Sequence, residues 1–174
     1  MSIFKKLFGG SENNDQNSGN TKIDLATILT SEDTNKSIIE LDNYICELCG
    51  WGDSLDKLTE QQKYFFYNQN LEREINNGGL NQYFLNSSGN FASETILSLK
   101  TIGANKTAEI LQKAIDQFPN KNVPKDRTQR QEILETIEEV EKEIWEDLDQ
   151  KFFAYEDDLN TLNIEFVRQN KDKF

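Results

Sequence analysis

The chain has 174 residues, with 31 acidic side chains against 19 basic ones, no histidine, and a formal net charge of −12. That length suits one core-bearing domain, and the charge argues against nucleic acid as a direct ligand, because neutralising phosphates takes clustered Lys and Arg. The missing histidine removes the commonest general base and metal ligand, so a non-enzymatic protein with no catalytic residue, cofactor or metal is expected.

Residues 1–10 place two lysines in a short apolar patch with neither an apolar h-region nor a small-residue cleavage site after them, which points away from secretion and toward the cytoplasm. Residues 9–20 (GGSENNDQNSGN) carry too little apolar surface to offset their ordering entropy. Residues 1–20 are therefore read as a flexible N-terminal segment and 21–174 as one all-α domain. No apolar run approaches the roughly 20 residues of a bilayer-spanning helix, so no membrane partner is expected.

The first convincing helix carries Ile38, Ile39, Leu41, Tyr44, Ile45 and Leu48 on a broad face and ends at Gly50. Cys46 and Cys49 fall near its end, whereas a redox pair needs its first thiol at a helix N-terminus. They are expected to be reduced and buried. Thr59 and Gln62 have capping-box spacing and open a helix through Tyr64, Phe65, Leu71 and Ile75, which Asn77, Gly78 and Gly79 stop. A short helix with Leu80, Tyr83 and Phe84 follows, and then a break at Asn86, Ser87, Ser88 and Gly89. Ala92 to Ile102 forms a helix closed by Gly103, and Ala108 to Phe118 another closed before Pro119. Asp126 caps the longest helix, roughly Arg127–Phe153, and a last helix holds Leu159, Leu162, Ile164, Phe166 and Val167. Six or seven helices in an orthogonal or bundle-like array are expected.

The longest helix is where the charge collects. Residues 132–158 hold 12 acids and 2 bases, against 19 acids and 17 bases in the rest of the chain. At about 100° per residue its apolar positions share one arc, and every carboxylate between Glu132 and Asp149 except Glu141 falls on the opposite arc. These carboxylates recur about every 3 Å of axis, against about 1.7 Å for the phosphates of duplex DNA. A solvated, helix-favouring Glu face accounts for such a stripe without any partner. Against that, like charges at Glu135/Glu139 and Glu139/Glu143 repel at i,i+4, a cost that a field built to capture a basic surface would explain. If the stripe binds, its partner-binding residues are Glu132, Glu135, Glu138, Glu139, Glu143, Glu146 and Asp147, with Asp157 and Asp158 beyond the helix. Glu141, inside the apolar arc, calls for a buried partner such as Arg73 or Arg127, or for a bend.

Residues 72–89 read EREINNGGLNQYFLNSSG. Asn76-Asn77-Gly78-Gly79 suits a left-handed helix end, with Gln82 and Asn86 placed to bond free carbonyls and Tyr83 and Phe84 to pin the turn into the core. The alternative is a polar pocket in which Asn77, Gln82 and Asn86 converge on a small ligand. This segment resembles a bacterial family of unknown-function domains with the hallmark E-x-N-N-G-G-x-x-Q-Y-F-x-N-S-S-G. Glu74, Asn76, Asn77, Gly78, Gly79, Gln82, Tyr83, Phe84, Asn86, Ser87, Ser88 and Gly89 all match it. Gly50-Trp51, Leu58, Ile102-Gly103-Ala104, Phe118-Pro119 and Leu148-Asp149 extend the resemblance over roughly residues 36–170.

The family includes a DNA mimic, an acidic helical protein that binds a transcriptional repressor at its DNA-reading surface. The resemblance thus implies an inhibitor or regulator of a basic, DNA-binding protein, with the hallmark serving as scaffold. Immunity-like or antitoxin-like inhibition of a nuclease, and small-molecule binding or enzyme chemistry at the Asn/Gln cluster, stay open as alternatives, as does self-association into a homodimer.

Overall fold

The structure is a computed structural model that describes residues 23–174, with the side chains of residues 137–142 outside that description. The N-terminal segment 1–20 also lies outside the described residues. Seven α-helices follow in order: α1 (Leu25–Thr30), α2 (Thr34–Leu48), α3 (Glu60–Leu85), α4 (Ala92–Ile102), α5 (Asn105–Ile115), α6 (Arg127–Phe153) and α7 (Leu159–Gln169). Short 3-10 turns at Leu55–Lys57, Ser87–Phe91 and Pro119–Lys121 join them, and another at Lys171–Lys173 follows α7. The described residues contain no strand, and none of their helices is long and apolar enough to cross a membrane.

Side-chain caps set where most of these helices begin. Asp24, Asp33, Asp126 and Asp158 each accept a hydrogen bond from the backbone N–H three residues on, satisfying one of the free donors of a first turn. Thr59 and Gln62 form both bonds of the reciprocal box, the N–H of Gln62 donating to Thr59 Oγ1 at 3.1 Å and that of Thr59 to Gln62 Oε1 at 2.9 Å. Gly103 ends α4 in the left-handed region at φ +87°.

One element differs from the sequence reading. Helix α1 was not expected. Its six residues contain a single buried side chain, Ile28, too little for an apolar period to register. The expected stop at Asn77–Gly79 is present as a break inside α3, where Gly78 and Gly79 leave helical backbone, and the short helix expected after it runs to Leu85.

Two apolar clusters fill the interior. The larger lies where the second limb of α3 meets α4, α5 and α6, and its centre is a ring cluster: Phe84 lies 4.8 Å from Phe118 and 5.3 Å from Trp145 between centroids. The smaller joins α1, α2, the first limb of α3 and α7 around Leu41, Ile45, Phe65, Ile164 and Val167. Between α3, α4 and α7 runs a buried polar chain. Ser98 Oγ donates to Asn68 Oδ1 at 2.6 Å, and Asn68 Nδ2 donates to Asn163 Oδ1 at 3.0 Å.

Cys46 and Cys49 are buried and unbridged. Burial, with the Asp42 carboxylate nearby, pushes the Cys46 thiol up to about 12, so almost no thiolate exists at neutral pH. A thiol reagent is therefore expected to label both cysteines at least about a hundred-fold more slowly in the folded protein than in urea. Rapid labelling of either thiol in native buffer would contradict this placement.

Candidate functional site

Helix α6 turns one face inward and one outward, as its apolar period requires. Leu134, Trp145, Leu148 and Phe152 are buried. Glu132, Glu135, Glu143, Glu146 and Asp147 are exposed. The side chains of Glu138, Glu139 and Glu141, also singled out in the sequence, lie outside the described residues. Of the five exposed carboxylates, Asp147 alone has a basic partner among the described residues, Lys151 one turn on. Ile144 and Phe153 stand exposed on this helix, and Phe153 lines an open groove with Glu143, Glu146 and Asp147.

Three acids of the 132–158 segment have structural work. Asp149 Oδ1 accepts the Leu80 N–H at 2.9 Å, so it caps the second limb of α3 from a neighbouring helix. Its burial raises the carboxyl above the ordinary range, with the Leu80 hydrogen bond acting in the opposite direction. Asp157 Oδ2 accepts from both the N–H and the Oγ1 of Thr107, at 2.7 and 3.0 Å, in the first turn of α5. Asp158 caps α7 through the N–H and Oγ1 of Thr161. Asp158 stays exposed, while Asp157 is half-buried; both add charge near the C-terminal end of α6 while holding helix ends.

The hallmark segment folds beside this face. Gln82 Nε2 and Asn86 Nδ2 donate to Glu74 Oε2, both at 2.9 Å, and Ser88 Oγ donates to Glu74 Oε1 at 3.1 Å. These donors converge on a carboxylate of the chain itself, whereas Asn77 is exposed. The alternative of a ligand pocket built from Asn77, Gln82 and Asn86 is thus not realised, and Gln82 and Asn86 reach Glu74 rather than the helix-end carbonyls. Asn76 Nδ2 donates to Tyr155 Oη at 2.8 Å, and the fully buried Tyr83 Oη donates to Thr95 Oγ1 at 3.0 Å.

Gly79 and Gly89 have steric reasons to be glycine. Gly79 sits at φ +73°, and an added Cβ would lie 2.2 Å from Asp149 Oδ2. A Cβ on Gly89 would lie 2.8 Å from Arg130 Nε and 3.0 Å from the Phe84 backbone. Replacing Gly79 with Val combines left-handed strain with loss of the Asp149 cap and is expected to cost about 2–4 kcal/mol. A urea midpoint equal to wild type would refute this account of the break.

Arg130 is the main residue that sequence reasoning missed. It is fully buried, and its guanidinium donates to the carbonyls of Phe84, Pro124, Lys125 and Asn86 and to Asn90 Oδ1. Burial in turn draws its pKa below the ordinary guanidinium value. One signal was available, since Arg130 precedes Leu134 by four residues and so shares the inward arc. The two arginines proposed as partners of Glu141 are otherwise engaged. Arg73 pairs with Asp42 of α2, and Arg127 donates to the Leu85 carbonyl at 3.0 Å.

A family model described as DMP19-like protein matches residues 56–170, which takes in the hallmark, the buried Arg130 and all of α6. Searches of curated proteins and of solved structures found no match.

Proposed function

Because the chain belongs to the DMP19-like protein family, we propose that it is a non-enzymatic, cytoplasmic binding protein that acts as a DNA mimic. In this reading the outer face of α6 occupies the DNA-reading surface of a basic protein and so regulates or inhibits it. The observation that carries the reading is the outward display of Glu132, Glu135, Glu143 and Glu146, a row of carboxylates with no basic partner among the described residues. Such a row projects a field that steers a cationic surface toward it and penalises an anionic one. Ile144 and Phe153, exposed on the same helix, add the apolar contact that a charged rim alone does not supply.

The test is competition. A DNA-binding protein captured on the chain at low salt is purified, and its binding to its own DNA site is measured while the chain is added. The proposal expects mutually exclusive binding that weakens steeply as salt rises, because the phosphate-binding surface is shared and the attraction is screened. Simultaneous binding of DNA and the chain to every such partner would overturn the mimic reading.

A further inference from the structure

We propose that the pocket between the turn after α2, the first limb of α3 and the 3-10 turn before α4 binds a small quaternary ammonium compound, a site separate from the acidic face and independent of the function proposed above. The pocket encloses about 340 Å³, within the size range of small-molecule sites. Trp51, Phe66, Tyr67 and Phe91 give it four aromatic lining residues, and among the described residues Asp53 is the one charged side chain that lines it.

Three of the rings form one wall. Tyr67 stacks on Phe91 with centroids 5.1 Å apart, and Phe66 meets Tyr67 edge-on at 6.1 Å. Trp51 stands apart from them, with no ring contact among the described residues and 66% of its surface exposed, whereas a side chain of its size is usually well covered. The backbone holds it there under strain. Gly50, Trp51 and Gly52 take φ values of +58°, +58° and +103°, so a bulky residue occupies the left-handed region between two glycines. The turn is pinned by the Trp51 N–H donating to the Cys46 carbonyl at 2.7 Å and the Ser54 N–H to that of Cys49 at 2.9 Å. It also packs on the ring wall, since a Cβ on Gly52 would lie 3.3 Å from Phe66 Cζ. Strain that keeps an indole in solvent at a ring-lined pocket points to a function for that indole.

The lining selects the ligand. Asp53 is exposed, and its carboxylate has neither an ion pair nor a hydrogen bond among the described residues, so an anion would meet like charge there. The guanidiniums behind the pocket are engaged elsewhere. Arg73 pairs with Asp42 and bonds Asn70 Oδ1, and Arg130 Nη2 donates to Asn90 Oδ1. Those bonds occupy the amide oxygens of the lining, and Thr95 Oγ1 already accepts from Tyr83. A primary ammonium brings three N–H donors and would find few open acceptors. A quaternary ammonium brings none, and is stabilised by ring faces and one counter-charge, which Trp51, the ring wall and Asp53 supply. The hydroxyl of buried Tyr67 makes no hydrogen bond among the described residues and is left open to a hydroxyl on the ligand.

The experiment uses the full chain labelled with ¹⁵N and titrated to about 10 mM with choline and with tetramethylammonium, alongside dimethylbutanol, the neutral carbon isostere of choline, and a short peptide carrying one trimethyllysine. Saturable shifts are expected at the Trp51 indole N–H and the Gly52 amide with at least one of the two cations, while the buried Trp145 indole stays still. The neutral isostere should bind at least about five-fold more weakly. Trp51→Leu and Asp53→Asn, both at exposed positions, should each weaken binding at least about five-fold as read at the Gly52 amide, and should one of them fail to fold the other carries the comparison. Absence of saturable shifts with both cations, or equal affinity for the neutral isostere, would overturn the proposal. Wild-type affinity in a folded variant of either kind would overturn it as well, and a peptide that binds more tightly than every free compound would overturn the small-molecule assignment. Glutamine substitutions on the outer face of α6 should leave this binding unchanged, which separates its failure from failure of the partner-binding reading. Loss of the shifts in that variant would mark adventitious capture of cations by the acidic face and would also overturn the proposal.

Discussion

Replacing Arg130 with alanine is expected to destabilise the fold by at least about 3 kcal/mol, through a cavity and through several carbonyls left without donors. The guanidinium reaches two segments, the end of α3 and the turn before α6. From one it takes the Phe84 and Asn86 carbonyls at the end of α3, and from the other the Pro124 and Lys125 carbonyls before α6. Its planar fork serves them together, so lysine, a single ammonium on a flexible stem, should recover only part of the loss. Methionine should fill the volume and still leave the carbonyls unmet. Urea unfolding followed by helical circular dichroism measures all three, and for a chain of this size the alanine variant should melt roughly 6–12 °C lower. An alanine variant within about 1 kcal/mol of wild type would show that other donors, or water, can serve these carbonyls.

The second large effect concerns binding. Changing Glu132, Glu135, Glu143 and Glu146 together to glutamine should leave the fold intact, since all four are exposed and glutamine keeps helix propensity. Stability should hold or rise slightly as like-charge repulsion is relieved. Affinity for the proposed DNA-binding partner should fall at least about ten-fold, mostly through a slower on-rate, and the salt dependence should flatten, because exposed charges act through a field screened over about 10 Å at 0.1 M salt. Surface plasmon resonance at several salt concentrations separates the two rates. A partner that binds DNA competitively yet ignores both salt and these four substitutions would require a different face of the molecule.

What the sequence made legible were the features governed by local chemistry. Asp126, the Thr59 and Gln62 box, Gly103 and the left-handed Gly79 were readable because a cap or a positive φ depends on a few neighbours along the chain. The arcs of α6 were readable at most of its described positions because its period is long, but Asp149, expected on the outward arc, turns in to cap the second limb of α3. What remained hidden depends on which helices become neighbours. The Asp42 and Arg73 pair spans 31 residues, and the pairing of Asp149 with Leu80 spans 69, separations at which periodicity says nothing. Glu74 shows the difference within one motif. The sequence grouped Gln82 and Asn86 with Asn77 as a polar cluster, but only the break at Gly79, which re-aims the second limb of α3, decides that these two amides meet the Glu74 carboxylate instead of open space.

Arg130 and Asp149 tie α6 to the two ends of the limb that runs from Leu80 to Phe84. They lie 19 residues apart in the chain, and a rotation of α6 about its axis away from the phase it holds would break both. The helix is therefore fixed in phase. An insertion of one residue between the two ties would swing everything on one side of it by about 100° relative to the other, scattering an outward row around the cylinder, whereas substitutions at outward positions would change the sign or spacing of charge and leave the phase untouched. The scaffold thus behaves as a ruler with rewritable marks: relatives that keep the two ties can display different charge patterns at the same addresses.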